Sequence, residues 1–452
     1  MGTQTAKDPQ RPTIPPLMLI PRATLADLTR LFVAEPRGLR VVSIDVDDLD
    51  PLDVVRAGAN AFGFAGFFSS LDGRAVGALG SAMRVASAGP NRLERIDAAI
   101  DRLGNADVLA LVGFSFSDEG PSSAGWEGFP AAVAVLPEVT VTRLAGRSRL
   151  TLALPPGSDG QLLLALLSTL RPPIAPVLDR EVDHTVESRP SPHDWIGLVA
   201  EAVAGIRAGA LQKVVLARSV AIRSGSVFEP FDLVAVLRDR YPDCRVFGWQ
   251  EGDSTFLGAS PELLVAREGS FFRLAPLAGS APRGADPETD RHFGDALLAS
   301  PKDREEHAIV IDDAVRRLRP LSVTLERSPN PQLHKFATVQ HLATPISGTT
   351  NARLLDLAAV LHPTPAVGGA PRAEALAFIE KMEGIDRGWY AGGIGWADPS
   401  GDGEIALGLR SALVRGDHAT VYAGNGIVAS SDPESELEET RLKLRPMLEL
   451  LT

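Results

Sequence analysis

Apolar positions along this chain fall mostly in short runs or in strict alternation, separated by Gly, Pro and Asp clusters, and only some segments repeat at the three-to-four-residue period of a helix. In the first part, 108–116 and 131–136 read as strands and 161–170 as a helix. A Pro-rich stretch runs from Pro155 to Pro176, and the composition changes again near Arg189-Pro190-Ser191-Pro192. Beyond that point 195–208 has a helical period and 213–222 reads as a buried strand. Strand patterns recur at 245–249, 254–259, 263–267 and 271–276. They lie too close together for parallel crossovers, which need a dozen or more residues, so antiparallel pairing is predicted. Helices follow at 301–318 and 351–361, strands at 390–396, 404–411, 412–415 and 418–424, and an acid-bearing helix closes the chain. Antiparallel runs mixed with helices predict a layered α+β fold, with no internal repeat at a fixed period. The expected organisation is a disordered tail over 1–16, an N-terminal half over 17–190 and a C-terminal region over 191–452.

Composition narrows the class. The 452 residues and 44% hydrophobic content suffice for one large or two ordinary cores. No apolar run approaches the roughly 20 residues that span a bilayer. The first 16 residues are polar and Pro-rich without a secretory apolar segment, so a cytoplasmic protein is expected. The single cysteine, Cys244, forms no intrachain disulfide and fits a reducing compartment as a packing residue. A net charge of −12 argues against nucleic acid and anionic membranes as partners, and an anionic substrate would need a locally positive pocket. No association motif stands out, so a monomer is expected.

Two segments carry acids at a helical spacing behind a capping signal. In Ser300-Pro301-Lys302-Asp303-Arg304-Glu305-Glu306-His307, Ser300 suits the cap and Pro301 the first helical position, and Asp303 and Glu306 share a face. In the second, Ser431 or Asp432 caps, Pro433 opens the helix, and Glu436, Glu439 and Lys443 project from one side. A row of acids beside a lysine suits a Mg²⁺ ion with an anionic substrate; acids in a first turn also simply complement the helix dipole.

Other candidates lie in the same half. Lys213 opens an apolar strand, where desolvation would bring it into general-base range, or its stem lies on apolar surface while its head reaches water. Glu262 sits at a turn between strands, either as a general acid held in apolar surroundings or as an exposed turn acid. Gly279 belongs to a tight loop that lets backbone approach a ligand, or to a plain turn. Tyr422-Ala423-Gly424-Asn425-Gly426-Ile427-Val428 reads as a glycine-rich connection whose amides suit a carboxylate, and it lacks the third glycine and the βαβ setting of a dinucleotide site. Arg410 is a cation on an apolar strand and needs an anion, either a ligand carboxylate or an internal acid. His341 fits a satisfied core histidine as well as a substrate donor.

In order and wording, these blocks resemble the chorismate-utilising enzymes, which include isochorismate synthases, salicylate synthases, anthranilate synthase large subunits and aminodeoxychorismate synthases. The resemblance rests on Gln212-Lys213-Val214-Val215-Leu216-Ala217-Arg218, the turn from Gly258 to Leu264, Pro276-Leu277-Ala278-Gly279 and Ser300 to His307. It continues through His341-Leu342-Ala343-Thr344-Pro345-Ile346-Ser347-Gly348, His362-Pro363-Thr364-Pro365-Ala366-Val367-Gly368-Gly369, Gly388-Trp389-Tyr390-Ala391-Gly392 and the block from Gly424 to Lys443. It implies a layered fold of large antiparallel sheets flanked by helices, with chorismate bound beside Mg²⁺.

The resemblance places the metal on Glu306 and Glu439, with Asp303 and Glu436 as outer acids. It assigns the enolpyruvyl carboxylate to Arg410 and Tyr390 with the amides near Gly424 and Gly426, and puts Lys443 near the metal-bound end. Members that add water to the ring have a lysine where Lys213 stands. Aminodeoxychorismate synthases have a second lysine at the position of Ala278, which here carries none. The implied reaction is attack of a Lys213-activated water on ring carbon two with Glu262 protonating the departing carbon-four hydroxyl, most like isochorismate synthase. Salicylate synthase is the rival; its members tend to carry a hydroxyl residue near Ala366. The product would feed menaquinone, siderophore or salicylate synthesis.

Overall fold

The computed structural model describes residues 18–31, 38–104, 107–176 and 182–452. The expected disordered tail, 1–16, lies outside the described residues. Among these, strands alternate with helices in an α+β arrangement dominated by two antiparallel sheets. The larger runs, neighbour by neighbour, through Arg40–Val46, Arg147–Leu154, Val139–Leu144, Ala75–Leu79, Phe64–Ser69, Arg245–Glu251, Ser254–Ser260, Ser411–Arg415, His418–Ile427, Lys213–Ser224 and Gly369–Ala370. His184–Arg189 pairs on the far part of Lys213–Ser224. The second sheet runs through Ser322–Arg327, Ile346–Thr350, Phe271–Leu274, Leu263–Glu268, Gly403–Leu407, Gly393–Ala397, Ala110–Phe114, Ala132–Leu136 and Met83–Ser87. A three-stranded sheet joins Leu277–Pro282, Val339–Ala343 and Gln332–Lys335.

Both large sheets draw strands from both halves of the chain. Phe64–Ser69 pairs with Arg245–Glu251, and Ala110–Phe114 with Gly393–Ala397. The composition change near residue 190 therefore divides the sequence and not the sheets. The core between the layers is rich in aromatic rings: Trp249 and Trp389 meet edge to face at 5.0 Å, and Phe129 meets Trp389 at 5.1 Å. Trp389 needs Gly113 beneath it, because a Cβ there would stand 2.1 Å from its ring.

That seat fixes the turn leading into the second sheet and corrects two strand boundaries. The strand expected at 390–396 is only Gly393–Ala397: Gly392 N–H closes a turn on the Trp389 carbonyl, and Ala391 is left-handed at φ 61°. The strand expected at 404–411 ends at Leu407, and Arg410 is left-handed at φ 49° before Ser411–Arg415 begins. Arg410 is thus a turn residue. The stretch 422–428, expected as a connection, lies largely within the strand His418–Ile427. Gly279 belongs to a bulge in Leu277–Pro282, at φ 74°, where the register with Val339–Ala343 shifts between Ala278 and Ser280.

Lys213–Ser224 pairs along one side with His418–Ile427, but on the other it pairs with Gly369–Ala370 only at 213–214 and with His184–Arg189 only from Ser219 onward. The backbone groups in the gap are satisfied otherwise. Val215 N–H donates to Gly368 O, Ala217 N–H donates to Glu383 Oε2 at 2.8 Å, and Arg387 Nη2 donates to Val215 O at 2.7 Å. Glu383 and Arg387 are themselves a buried ion pair, with side chains 1% and 3% exposed. No helix among the described residues is long and apolar enough to cross a membrane.

Glu383→Ala would strand the Arg387 guanidinium and the Ala217 amide together, so it is expected to lower the unfolding free energy by roughly 3–5 kcal/mol. Urea unfolding measures this, and a loss below about 1 kcal/mol would show that the pair does not stand in for a strand.

Candidate active site

The two acid-bearing segments are helices with the expected caps. Ser300 Oγ accepts from Asp303 N–H at the start of Pro301–Leu318, and Asp432 rather than Ser431 accepts from Ser435 N–H at the start of Pro433–Leu451. Lys302 Nζ joins their first turns by pairing with Glu436 Oε1 at 3.0 Å. Glu306 Oε1 lies 3.0 Å from Lys213 Nζ, and Glu439 Oε1 lies 2.8 Å from Lys443 Nζ. Each lysine–acid pair opens on the same cavity.

Twelve of the sequence candidates line that cavity: Lys213, Glu262, Gly279, Glu306, His341, Ala366, Tyr390, Arg410, Gly424, Gly426, Glu439 and Lys443. Asp303 and Glu436 do not line it. The Glu436 carboxylate is turned inward, 2% exposed, and takes Lys302 and an Asn425 amide N–H at 3.1 Å. Asp303 backs the Gly279 bulge; a Cβ on Gly279 would stand 3.0 Å from Asp303 Cβ.

Lys213 is 1% exposed at the start of its strand. Glu262, 5% exposed, sits between Ser254–Ser260 and Leu263–Glu268. Burial pushes its carboxyl up to about 7, against the Leu277 amide and the charges of Lys213 and Lys443. At neutral pH it therefore holds a proton for much of the time.

The glycines present backbone to the cavity. Val215 sends both its N–H and its C=O away from the strand His418–Ile427, so its partner Gly426 points its own groups away from the Lys213 strand. Ala217 and Gly424 are related in the same way, since Ala217 N–H goes to Glu383 and Gly424 O accepts from Lys443 Nζ at 3.0 Å. The neighbouring strand Ser411–Arg415 pairs only as far as Val421. The edge at Gly424 and Gly426 is therefore left for the cavity. A side chain at Gly426 would collide with the Lys213–Glu306 pair, its Cβ 2.3 Å from Glu306 Oε1.

Arg410 supplies positive charge at the cavity. Its Nη1 is buried without a hydrogen-bond partner, and no carboxylate among the described residues pairs with it. Burial pulls its guanidinium down from the usual value, with Cys244, Tyr390 and Glu439 opposing. The internal acid that would satisfy such a cation is not found there. Tyr390 is 4% exposed and stacks on Tyr422 at 5.2 Å, and burial pushes its hydroxyl up to about 12, which keeps it a donor. His341 Nδ1 lies 3.0 Å from Gly279 O and 3.0 Å from Ser280 Oγ. Cys244, 9% exposed, is a packing residue whose thiol burial pushes up to about 12.

The acids differ in charge. Burial pushes the Glu439 carboxyl up, but Lys443, a Ser280 hydroxyl and Lys302 outweigh it and hold it below the usual value. Glu436 is raised by burial and by the Glu439 charge. Among the described residues no three acid, His or Cys side chains converge to hold an ion by themselves. Two cavity-facing carboxylates, Glu306 and Glu439, suit a hard cation such as Mg²⁺ that keeps several waters and shares substrate oxygens.

Sequence reasoning missed Lys302, Asn425, Ser280, Glu383 and Arg387. Lys302 stands one turn before Glu306 in the capped segment, where a lysine among acids was legible. The other four act through pairings between distant segments and leave no local signal.

The family profile described as "Chorismate binding enzyme" matches residues 29–452. The salicylate biosynthesis isochorismate synthase of Pseudomonas aeruginosa is 36% identical over 440 residues, 92% of this chain and 90% of that protein. The isochorismate synthase MenF of Bacillus subtilis is 35% identical over 347 residues, 75% of this chain and 74% of its own. Among solved structures, MenF, the menaquinone-specific isochorismate synthase of Escherichia coli, superposes with a TM-score of 0.84 at 28% identity, covering 95% of this chain and 99% of that one.

Glu262 binds its proton more tightly in the fold, at about 7, than at its ordinary 4.5, so its contribution to stability is fully present below about 4.5 and is lost as pH rises through about 7. Glu262→Gln cannot ionise and is expected to lose less stability than the native chain between about pH 5 and about pH 8. Urea midpoints at both ends measure this, and equal losses would mean that Glu262 titrates like an exposed acid.

Proposed function

The chain belongs to the chorismate binding enzyme family, and from that premise we propose that it is an isochorismate synthase, an isomerase that converts chorismate to isochorismate with Mg²⁺. The observation that carries the reading is that Lys213 and Glu262, a base and an acid, line one cavity together with the unpartnered Arg410 and the free backbone edge at Gly424 and Gly426.

Arg410 and the Tyr390 hydroxyl hold the enolpyruvyl carboxylate, with the Gly424 and Gly426 amides donating from the strand edge. Lys213, as the free amine, takes a proton from a water as its oxygen bonds to ring carbon two. The ring double bond shifts, the bond from carbon four to its hydroxyl breaks, and Glu262 supplies the proton with which that hydroxyl leaves as water. One water enters and one departs, so the change is an isomerisation without a redox step. Glu306 and Glu439 would hold the Mg²⁺, which when bound offsets the charge of the ring carboxylate. Asp303 and Glu436 support those two acids from behind.

Elimination of pyruvate in the same cavity would give salicylate instead. Ala366 lines the wall where such relatives tend to carry a hydroxyl, which favours release of isochorismate. The relatives named for menaquinone and for salicylate biosynthesis mark two routes that consume this product. A single buried cysteine fits a cytoplasmic setting.

Purified protein given chorismate and Mg²⁺ is expected to accumulate isochorismate; salicylate and pyruvate as dominant products without a partner enzyme would overturn the assignment. Lys213→Ala is expected to lower turnover by roughly 10²–10⁴-fold while chorismate still binds, read by single-turnover kinetics and calorimetry. Glu439→Gln is expected to raise the Mg²⁺ concentration needed for half-maximal activity by about 10-fold or more. An unchanged titration would move the metal elsewhere.

A further inference from the structure

A second, apolar cleft backs onto the cavity. It lies between the helix Pro230–Arg240, the end of Pro433–Leu451 and the turn from Gln332–Lys335 into Val339–Ala343. Leu237, Phe336, Val339 and Met447 are buried in its lining. At the turn Ala337 is exposed and Thr338 half-buried, so the cleft opens to solvent there. Pro261 and Arg410 stand in the linings of both the cleft and the cavity, which therefore share a wall. The groups that act on the Arg410 charge divide across that wall: Cys244 and Tyr241 line the cleft, Tyr390 and Glu439 the cavity. On the cleft side both are neutral near pH 7, because burial pushes the Cys244 thiol up to about 12 and raises the Tyr241 hydroxyl. Among the described residues no Asp or Glu lines the cleft. Seen from there, Arg410 is a lone cation beside hydrocarbon, with its Nη1 buried and without a partner.

The chemistry that fits this cleft is narrow. Walls of leucine, valine and methionine carbon, with the rings of Phe336 and Tyr241, favour a small flat apolar body, and one cation without a competing acid favours a single negative charge on it. A sugar or a multiply charged ligand would lose its hydration with nothing to replace it. The geometry points to a second binding site, for a small aryl monocarboxylate, whose carboxylate reaches Arg410 from the side opposite the substrate. Such a ligand enters from solvent past Thr338 without passing through the cavity. Resting on the reading of the cavity as a chorismate site, its binding draws the guanidinium away from the enolpyruvyl carboxylate and weakens chorismate, and chorismate weakens it by the same factor. The two ligands compete for one guanidinium and not for one volume.

Benzoate is the probe. In resting protein labelled with ¹³C at the methionine methyls, benzoate is expected to shift the Met447 signal, assigned through Met447→Leu; no shift at about 10 mM would overturn the site whatever the enzyme's reaction. Thr338→Phe, which puts a ring in the half-buried mouth, is expected to weaken benzoate by about 10-fold or more while the KM and kcat for chorismate stay within about 2-fold of wild type. An unchanged benzoate affinity in that variant would place the ligand elsewhere and overturn the inference. Benzamide, of the same shape without the charge, is expected to bind about 10-fold more weakly or worse, and equal binding would remove Arg410 from the site. In turnover, benzoate is expected to raise the KM for chorismate to a plateau of about 10-fold with kcat unchanged, as a finite coupling between two sites requires. A rise without limit would mean one shared volume and would overturn the second site. If wild type does not turn over chorismate, the reading of the cavity fails by itself, and the Met447 shift and its loss in Thr338→Phe still decide the cleft.

Discussion

A lysine head sealed inside a β-sheet needs a polar partner at contact distance, and Glu306, 3.0 Å from Lys213 Nζ, meets that requirement. The rest of the site follows from it. Glu306 ties the strand to the helix Pro301–Leu318, Lys302 ties that helix to Glu436 on Pro433–Leu451, and Lys443 on the same terminal helix returns to Gly424 and Asn425 beside the Lys213 strand. These contacts close a ring across four elements, the strands Lys213–Ser224 and His418–Ile427 and the helices Pro301–Leu318 and Pro433–Leu451. Arg410, at the same cavity, has no carboxylate partner among the described residues.

The two capped acidic helices were legible because their signals are local: Ser300-Pro301 and Asp432-Pro433 specify the starts, and a spacing of three or four specifies the face. The α+β class was legible from strand spacing. The interleaving of both halves in both sheets was not, since pairing such as Phe64–Ser69 with Arg245–Glu251 depends on contacts across nearly two hundred residues and has no local pattern. Strand ends near Tyr390 and Arg410 were misplaced because left-handed backbone at Ala391 and Arg410 is imposed by packing and carries no glycine to announce it.

The opposite error arose at Gly424 and Gly426. Glycine usually marks a loop, yet here it sits within a strand because the Lys213–Glu306 pair and the Tyr390 hydroxyl occupy the volume a side chain would fill. Glu383 and Arg387 were overlooked for a related reason: as an i,i+4 pair they look like a surface pair, and only the sheet gap between Val214 and Ser219 gives them their task.

The unpaired stretch of His418–Ile427 has a further consequence. Elsewhere an open sheet edge invites another chain to pair with it, but this one is enclosed between the terminal helix and the cavity, so only a small molecule can take the vacant place. On the proposed function, the ligand's carboxylate takes the place in the ladder that a neighbouring strand would fill, beside Arg410 and Tyr390. Part of the proposed recognition then rests on peptide groups, which most substitutions leave in place, while the reaction rests on side chains, which substitution changes freely. A fold built this way can trade one chemistry for another without relearning how to hold its substrate.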